Sequence, residues 1–156
     1  MVTILLKSVI HNIGVVLFAL ALVYLCTFLD ELLGLHAFSF QFSSFLGALL
    51  LILGLAIRLW ATAHFYSHKM RVISLEPQGS LITSGPYHYS RNPLYLGANV
   101  FCFFGAAILF GSPTAVVLTI IHLPLLDLFI QREEKQLEQK FGEEFVAYKK
   151  QVRRWL

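Results

Sequence analysis

LITSGPYHYSRNPLYLG, residues 81–97, is a polar stretch set between two long apolar runs. A connection between membrane helices needs no such content, yet this one carries Tyr87, Tyr89 and Tyr95 together with Arg91 and Asn92. A second polar stretch, REEKQLEQKFGEEFVAYKKQVRRWL, runs from Arg132 to Leu156 straight after another apolar run. What lies on either side of these two stretches decides the fold class.

Of the 156 residues, 57% are hydrophobic and 13% charged, against roughly 25% charged in soluble domains. One soluble core of this length cannot hide so much apolar surface, so lipid must cover part of it. The pattern predicts an all-α integral membrane protein, a single domain over 1–156, with four spans at about 8–29, 37–60, 94–110 and 113–130. Each of the first two supplies the roughly 20 apolar residues that a crossing needs. Gly111-Ser112-Pro113 splits the later apolar stretch into a helical hairpin. Ala19-Leu20-Ala21 lies inside the first apolar run rather than after it, so the reading is a retained first helix and not a cleaved leader.

Charge placement orients these spans. The connection between the first two carries Asp30 and Glu31 and no basic residue, and the turn at 111–113 carries no charge. The twelve Lys and Arg fall before the first span, around the link at 67–93, or after the fourth. The positive-inside rule then places both termini and the link in the cytoplasm; the membrane is expected to be a bacterial or archaeal cytoplasmic membrane rather than that of an organelle. After the fourth span, Leu137, Phe141, Phe145, Tyr148 and Val152 recur at steps of three and four, the stripe of an amphipathic helix. That helix is expected over about 131–153, bent at Gly142, lying on the membrane face or capping the spans.

Within the link, Gly85-Pro86 marks a turn, Pro93 suits the first turn of a helix, and Asn92 is the candidate N-cap. The tyrosine faces attract cations, a sulfonium included, and Arg91 can grip a carboxylate through two hydrogen bonds; ordinary interfacial anchoring is the competing explanation. Glu133 and Glu134 offer carboxylates to an ammonium group, against a solvated helix face. Arg58, His64, His122 and Asp127 lie in or near apolar runs, where ionisable groups are costly. Arg58 is expected to snorkel, Asp127 to pair with Arg58 or line a polar cavity, and His122 to be a hydrogen-bonded core residue. Cys26 and Cys102 read as small buried hydrophobes. No zinc spacing, HExxH, P-loop, GxGxxG or GxSxG pattern occurs, and no nucleic-acid motif; neither metal nor nucleic acid is expected.

GPYHYSRNPLYLG followed by EExxLxxxFGEEFxxYxxxVRRWL resembles the isoprenylcysteine carboxyl methyltransferase family and the related phospholipid N-methyltransferases, over roughly Ser80 to Leu156. The resemblance implies an integral membrane enzyme that uses S-adenosylmethionine and takes a lipophilic methyl acceptor from the bilayer. It implies that Leu81, Ile82 and Tyr87 wrap the cofactor and that Arg91, Asn92, Pro93 and Tyr95 complete the pocket. Glu133, with Glu134 as second candidate, would bind the methionine ammonium, and Arg91 and Glu133 would be catalytic. Two departures bear on the substrate. The eukaryotic members read RHP where this chain has Arg91-Asn92-Pro93, and an arginine four residues before their glutamate falls on Phe129. The acceptor, whether carboxylate, amine or thiol, is therefore left open. The competing functional readings are a membrane NADPH-dependent reductase related to sterol reductases, for which Lys69, Arg71 and Arg91 are a sparse basic set, and a non-enzymatic membrane interaction protein.

Overall fold

The computed structural model describes residues 2–70, 72 and 79–156. Helix α1 spans Val2–Leu32 and α2 spans Ser43–Ser67. A short 3-10 turn, Gly85–His88, leads into α3, which runs Pro93–Phe110. Helix α4 spans Pro113–Phe141 and α5 spans Glu143–Gln151. The first four are long and apolar enough to cross a membrane, so the all-α reading with four candidate spans stands.

Lipid exposure explains why these sequences carry apolar residues all round. Leu17, Phe18 and Tyr24 on α1, Ile52 on α2, and Ile120, Leu125 and Leu128 on α4 are all exposed. Such helices gain little by hydrophobic burial against each other, and close backbone approach takes over. Gly47 and Gly54 of α2 meet Gly105 and Gly97 of α3. A Cβ on Gly54 would stand 2.6 Å from the Gly97 carbonyl oxygen, and one on Gly97 would stand 2.7 Å from Cγ of Arg58. Residues Leu96–Phe103 of α3, Gly97 among them, take the wider π form.

At one end of the bundle, Gly111 closes α3 in the left-handed conformation (φ 64°), and the Ser112 side chain accepts from the Ala115 amide to start α4. Asp30, buried at the end of α1, accepts from the Ser112 hydroxyl and from the Thr114 amide at 3.0 Å. At the other end, the start of α1 touches the end of α2 through Ser8 and Leu59, and α3 begins beside Arg58.

Two boundaries differ from the sequence reading. Helix α2 begins at Ser43 rather than near residue 37, because the preceding chain is not helical and pairs its Phe38 amide with the Gly111 carbonyl at 2.9 Å, turning at Phe42 (φ 69°) into the helix. Helix α4 does not stop near 130 but continues to Phe141, and the break falls at Gly142 (φ 54°, ψ −125°). At about 1.5 Å per residue, its 29 residues outrun a hydrocarbon layer about 30 Å thick. Its charged end therefore stands clear of the apolar part. The expected stripe does pack: Phe145, Tyr148 and Val152 are buried against Leu81, Leu137 and Phe141.

Candidate active site

The RNP segment and the last residues of the chain are zipped together. The Arg91 amide donates to the Arg153 carbonyl at 3.0 Å. The Ser90 hydroxyl and the Asn92 side-chain amide both donate to the Arg154 carbonyl, each at 3.2 Å. Asn92 thus stands in the N-cap position of α3 but makes no capping bond; its side chain is spent on the tail. Tyr148 donates to the Tyr87 carbonyl at 2.6 Å, which fixes α5 against the link.

Helix α4 passes beneath this strap and presents two adjacent carboxylates. Glu134 is buried, and both its oxygens face arginines. Arg91 reaches Oε1 through Nε at 2.9 Å and Nη2 at 2.8 Å, while Arg154 reaches Oε2 through Nη2 at 2.9 Å. A third Arg91 nitrogen, Nη1, donates to the Val152 carbonyl at 2.6 Å. Arg154 also spans Asp127 with contacts of 3.0 and 3.1 Å, and Trp155 and Gln131 donate to the same carboxylate. The Glu134 hydrogen bond, with Asp127 adding to it, raises the Arg154 guanidinium above its ordinary value. Asp127 therefore pairs with the tail and not with Arg58, which corrects that expectation.

Glu133, one residue back, is different. It is half-buried, and among the described residues its carboxylate takes a single hydrogen bond, from the Tyr95 hydroxyl at 3.0 Å. A carboxylate offers about four lone-pair sites, so Glu133 keeps capacity for an ammonium group that Glu134 has already used. Tyr95 is set by Pro93, fully buried at the start of α3, and by an edge-on contact with Phe129 at 6.1 Å.

The remaining expected residues divide between two clusters. Leu81 packs on Phe145, Tyr148 and Val152. Ile82 and Tyr87 pack with Ala61, Met70, Phe65 and Leu94. Burial pushes the Tyr87 phenol well above its ordinary value; nearby Tyr148 adds to this and the Arg58 charge opposes it. Burial likewise raises the Tyr148 phenol. Arg71 lies outside the described residues. His122 is exposed on α4, with no hydrogen bond among the described residues, rather than a bonded core residue. Arg58 does not snorkel: it is 5% exposed and held by Asn12 and the Leu94 carbonyl at 2.8 Å each.

Sequence reasoning missed Arg154 and this Arg58 cluster. Signals for both exist. Asp127 and Glu134 lie seven apart on one face of α4 and need a common cation. Ser8 and Asn12 on α1, and Arg58 and Thr62 on α2, are polar residues four apart on otherwise apolar helices, the spacing of a shared face.

The phospholipid methyltransferase family matches this chain over residues 42–144. The chain belongs to that family. A protein-S-isoprenylcysteine O-methyltransferase of Saccharomyces cerevisiae is 33% identical over 111 residues, which is 69% of this chain and 46% of the yeast protein. A probable protein-S-isoprenylcysteine O-methyltransferase of Oryza sativa subsp. indica is 30% identical over 116 residues, 72% of this chain and 60% of its own. An uncharacterized protein of Haemophilus influenzae is 47% identical over 47 residues, covering 30% of this chain and 75% of that protein. The chain spans between about half and three fifths of the length of the yeast and rice relatives. No solved structure matches. The family match begins at residue 42, just before α2 and earlier than the resemblance read from Ser80 onward, so the second helix belongs to what the family shares.

Proposed function

We propose that this chain is a membrane methyltransferase that draws a methyl group from S-adenosylmethionine and delivers it to a lipophilic acceptor at the cytoplasmic face. The observation that carries the reading is the contrast at 133–134: one carboxylate saturated by two arginines, the next left with acceptor capacity beside a tyrosine. Glu133 would hold the cofactor's ammonium group. Tyr95 orients that carboxylate, and Leu81, Ile82, Tyr87, Asn92 and Pro93 would line the rest of the cofactor's site. S-adenosylmethionine supplies an activated methyl group on a sulfonium. For a displacement at carbon the chain's main tasks are alignment and exclusion of water. The strap formed by Arg91, Glu134 and Arg154 serves both by holding the tail over the start of α3 and the charged part of α4. Arg91 is a positioning residue in this scheme, since its donors go to Glu134 and to tail carbonyls.

The polar cofactor would arrive from the aqueous side and the acceptor sideways from the bilayer. A carboxylate acceptor needs no general base, whereas an amine or thiol does. A reductase is less well supported, because Arg91 and Arg154, the arginines that frame the site, are spent on Glu134 and Asp127 and not offered to a nucleotide 2′-phosphate.

Calorimetry with S-adenosylhomocysteine on detergent-purified protein tests the proposal, with NADPH as comparison. Saturable micromolar binding is expected, reduced at least tenfold in Glu133→Gln with unfolding temperature unchanged. Binding of NADPH alone would move the protein to the reductases. Binding of neither by folded protein would leave an interaction protein as the better reading.

A further inference from the structure

Asp127 interrupts an otherwise uncharged run. From Pro113 to Ile130 no other Asp, Glu, Lys or Arg occurs. Rising about 1.5 Å per residue, α4 carries Asp127 about 21 Å from Pro113. That is inside a hydrocarbon layer about 30 Å thick, and roughly 5–10 Å short of its basic side. The neighbouring helix agrees. Helix α3 runs antiparallel to α4 from the Gly111 turn, and Tyr95 meets Phe129 at 6.1 Å. Asp127 is therefore level with the first turns of α3 rather than with the link. Leu125, Leu128 and Phe129 around it are exposed, as on a lipid-facing stretch of helix.

The last residues of the strap come down to this level. The Arg91 amide holds the Arg153 carbonyl at the link. From there Arg154 reaches both Asp127 oxygens, at 3.1 and 3.0 Å, and the Trp155 indole donates to Oδ1 at 3.2 Å. Gln131 adds a bond at 2.9 Å, so donors surround the carboxylate. Two charges leave water at tolerable cost only with such geometry and such extra hydrogen bonds, and without Arg154 the acid would stand unpaired at membrane depth. The chain thus turns inward instead of out into the aqueous phase. Trp155 is half-buried and Leu156 is 65% exposed, so both have apolar surface left to cover. An indole with its N–H bonded and its ring facing apolar surroundings is what tryptophan favours at a membrane boundary.

We propose that residues 153–156 anchor the strap in the bilayer, with Trp155 and Leu156 among the upper acyl chains of the leaflet on the basic side. The partner is phospholipid. Its chains cover the two apolar side chains, at the depth where interfacial segments bury theirs. Its phosphates meet Arg153, which is exposed and has no side-chain partner among the described residues. Asp127 is the internal counter-ion that lets Arg154 follow. The folded-back tail is thus held from two sides, by ion pairs to α4 and by lipid. The anchor does not depend on a methyl donor, so it stands or falls apart from the methyltransferase reading.

Fluorescence tests this directly, because the chain has two tryptophans, Trp60 and Trp155. Trp60→Phe isolates Trp155, and the difference between wild type and Trp155→Phe gives the same signal where Trp60→Phe fails to fold. Each protein is reconstituted in phosphatidylcholine vesicles with acyl chains brominated near the headgroup or near the methyl end, and acrylamide serves as aqueous quencher. Bromine near the headgroup should reduce Trp155 emission about twofold, with smaller losses from chain-end bromine and from acrylamide. Leu156→Asp changes an exposed side chain, so the fold should survive. An acid at that depth is costly, and the variant should lift the segment and raise acrylamide quenching about twofold. Four results would each overturn the anchor. Acrylamide quenching most would put the segment in water, and chain-end bromine quenching most would put it at the bilayer centre. Quenching by neither lipid nor acrylamide would seal Trp155 inside the protein. An unchanged pattern in Leu156→Asp would show that the segment is not seated in lipid.

Discussion

Neighbouring glutamates with opposite fates are the sharpest feature at the scale of the residue. Successive side chains on a helix diverge by about 100°, so Glu134 turns under the tail to meet Arg91 and Arg154 while Glu133 turns toward Tyr95. Removing the charge from Glu134 leaves two arginines facing a neutral amide. Glu134→Gln should therefore cost about 3 kcal/mol, the scale of breaking a buried ion pair, read as a lower unfolding temperature in detergent. Arg91→Lys keeps the charge but loses the planar fork, and it cannot hold Glu134 and the Val152 carbonyl at once. It should lower turnover by at least tenfold with a smaller stability loss than Glu134→Gln; turnover at the wild-type level would remove the strap from the mechanism. The residue types of this site were legible in the sequence, because paired acids after a span and RNP before one stand out against an apolar background. The division of labour was not, since it depends on which acid the folded-back tail reaches.

Among the elements, α2 and α3 pack by backbone approach where their glycines coincide, and α1 and α4 turn apolar side chains to lipid. The contrast between Gly54 and Gly14 makes this testable. A Cβ at Gly54 would meet the Gly97 carbonyl oxygen and Cys102 Sγ at 2.6 Å each, whereas one at Gly14 meets nothing within 4 Å. Gly54→Ala should push α2 from α3 and lower thermal stability, by about 1–3 kcal/mol on the scale of overpacked cores. Gly14→Ala should be neutral or stabilising by about 0.5–1 kcal/mol, from helix propensity alone. Equal effects would mean that the close approach is not what holds the pair. Hydropathy finds the four spans because bilayer thickness sets their length. It does not find the start of α2 at Ser43, fixed by the Phe38–Gly111 backbone contact, nor the unbroken run of α4 to Phe141, since charge after Gln131 ends an apolar pattern without ending a helix.

For the molecule as a whole, the two ends of the bundle are chemically unlike. One end is closed by Asp30, Ser112 and Thr114 around the Gly111 turn and carries no basic side chain among them. The other gathers the start of α1, the end of α2, the link and the strap, with Lys7, Lys69, Arg91, Arg132, Arg153 and Arg154. Basic residues are retained on the cytoplasmic side of a membrane, so the strap and Glu133 should face the compartment where a polar methyl donor is made. Single cysteines at His36 and Ser80, both exposed and on opposite ends of α2, report this directly, because the native Cys26 and Cys102 are buried and contribute little background. In intact cells a membrane-impermeant maleimide should label His36→Cys and spare Ser80→Cys, and opening the membrane should make Ser80→Cys reactive. The opposite pattern would put Glu133 outside the cell, where it would have no access to a cytoplasmic cofactor, and the catalytic proposal would fall even if the protein bound S-adenosylhomocysteine in detergent.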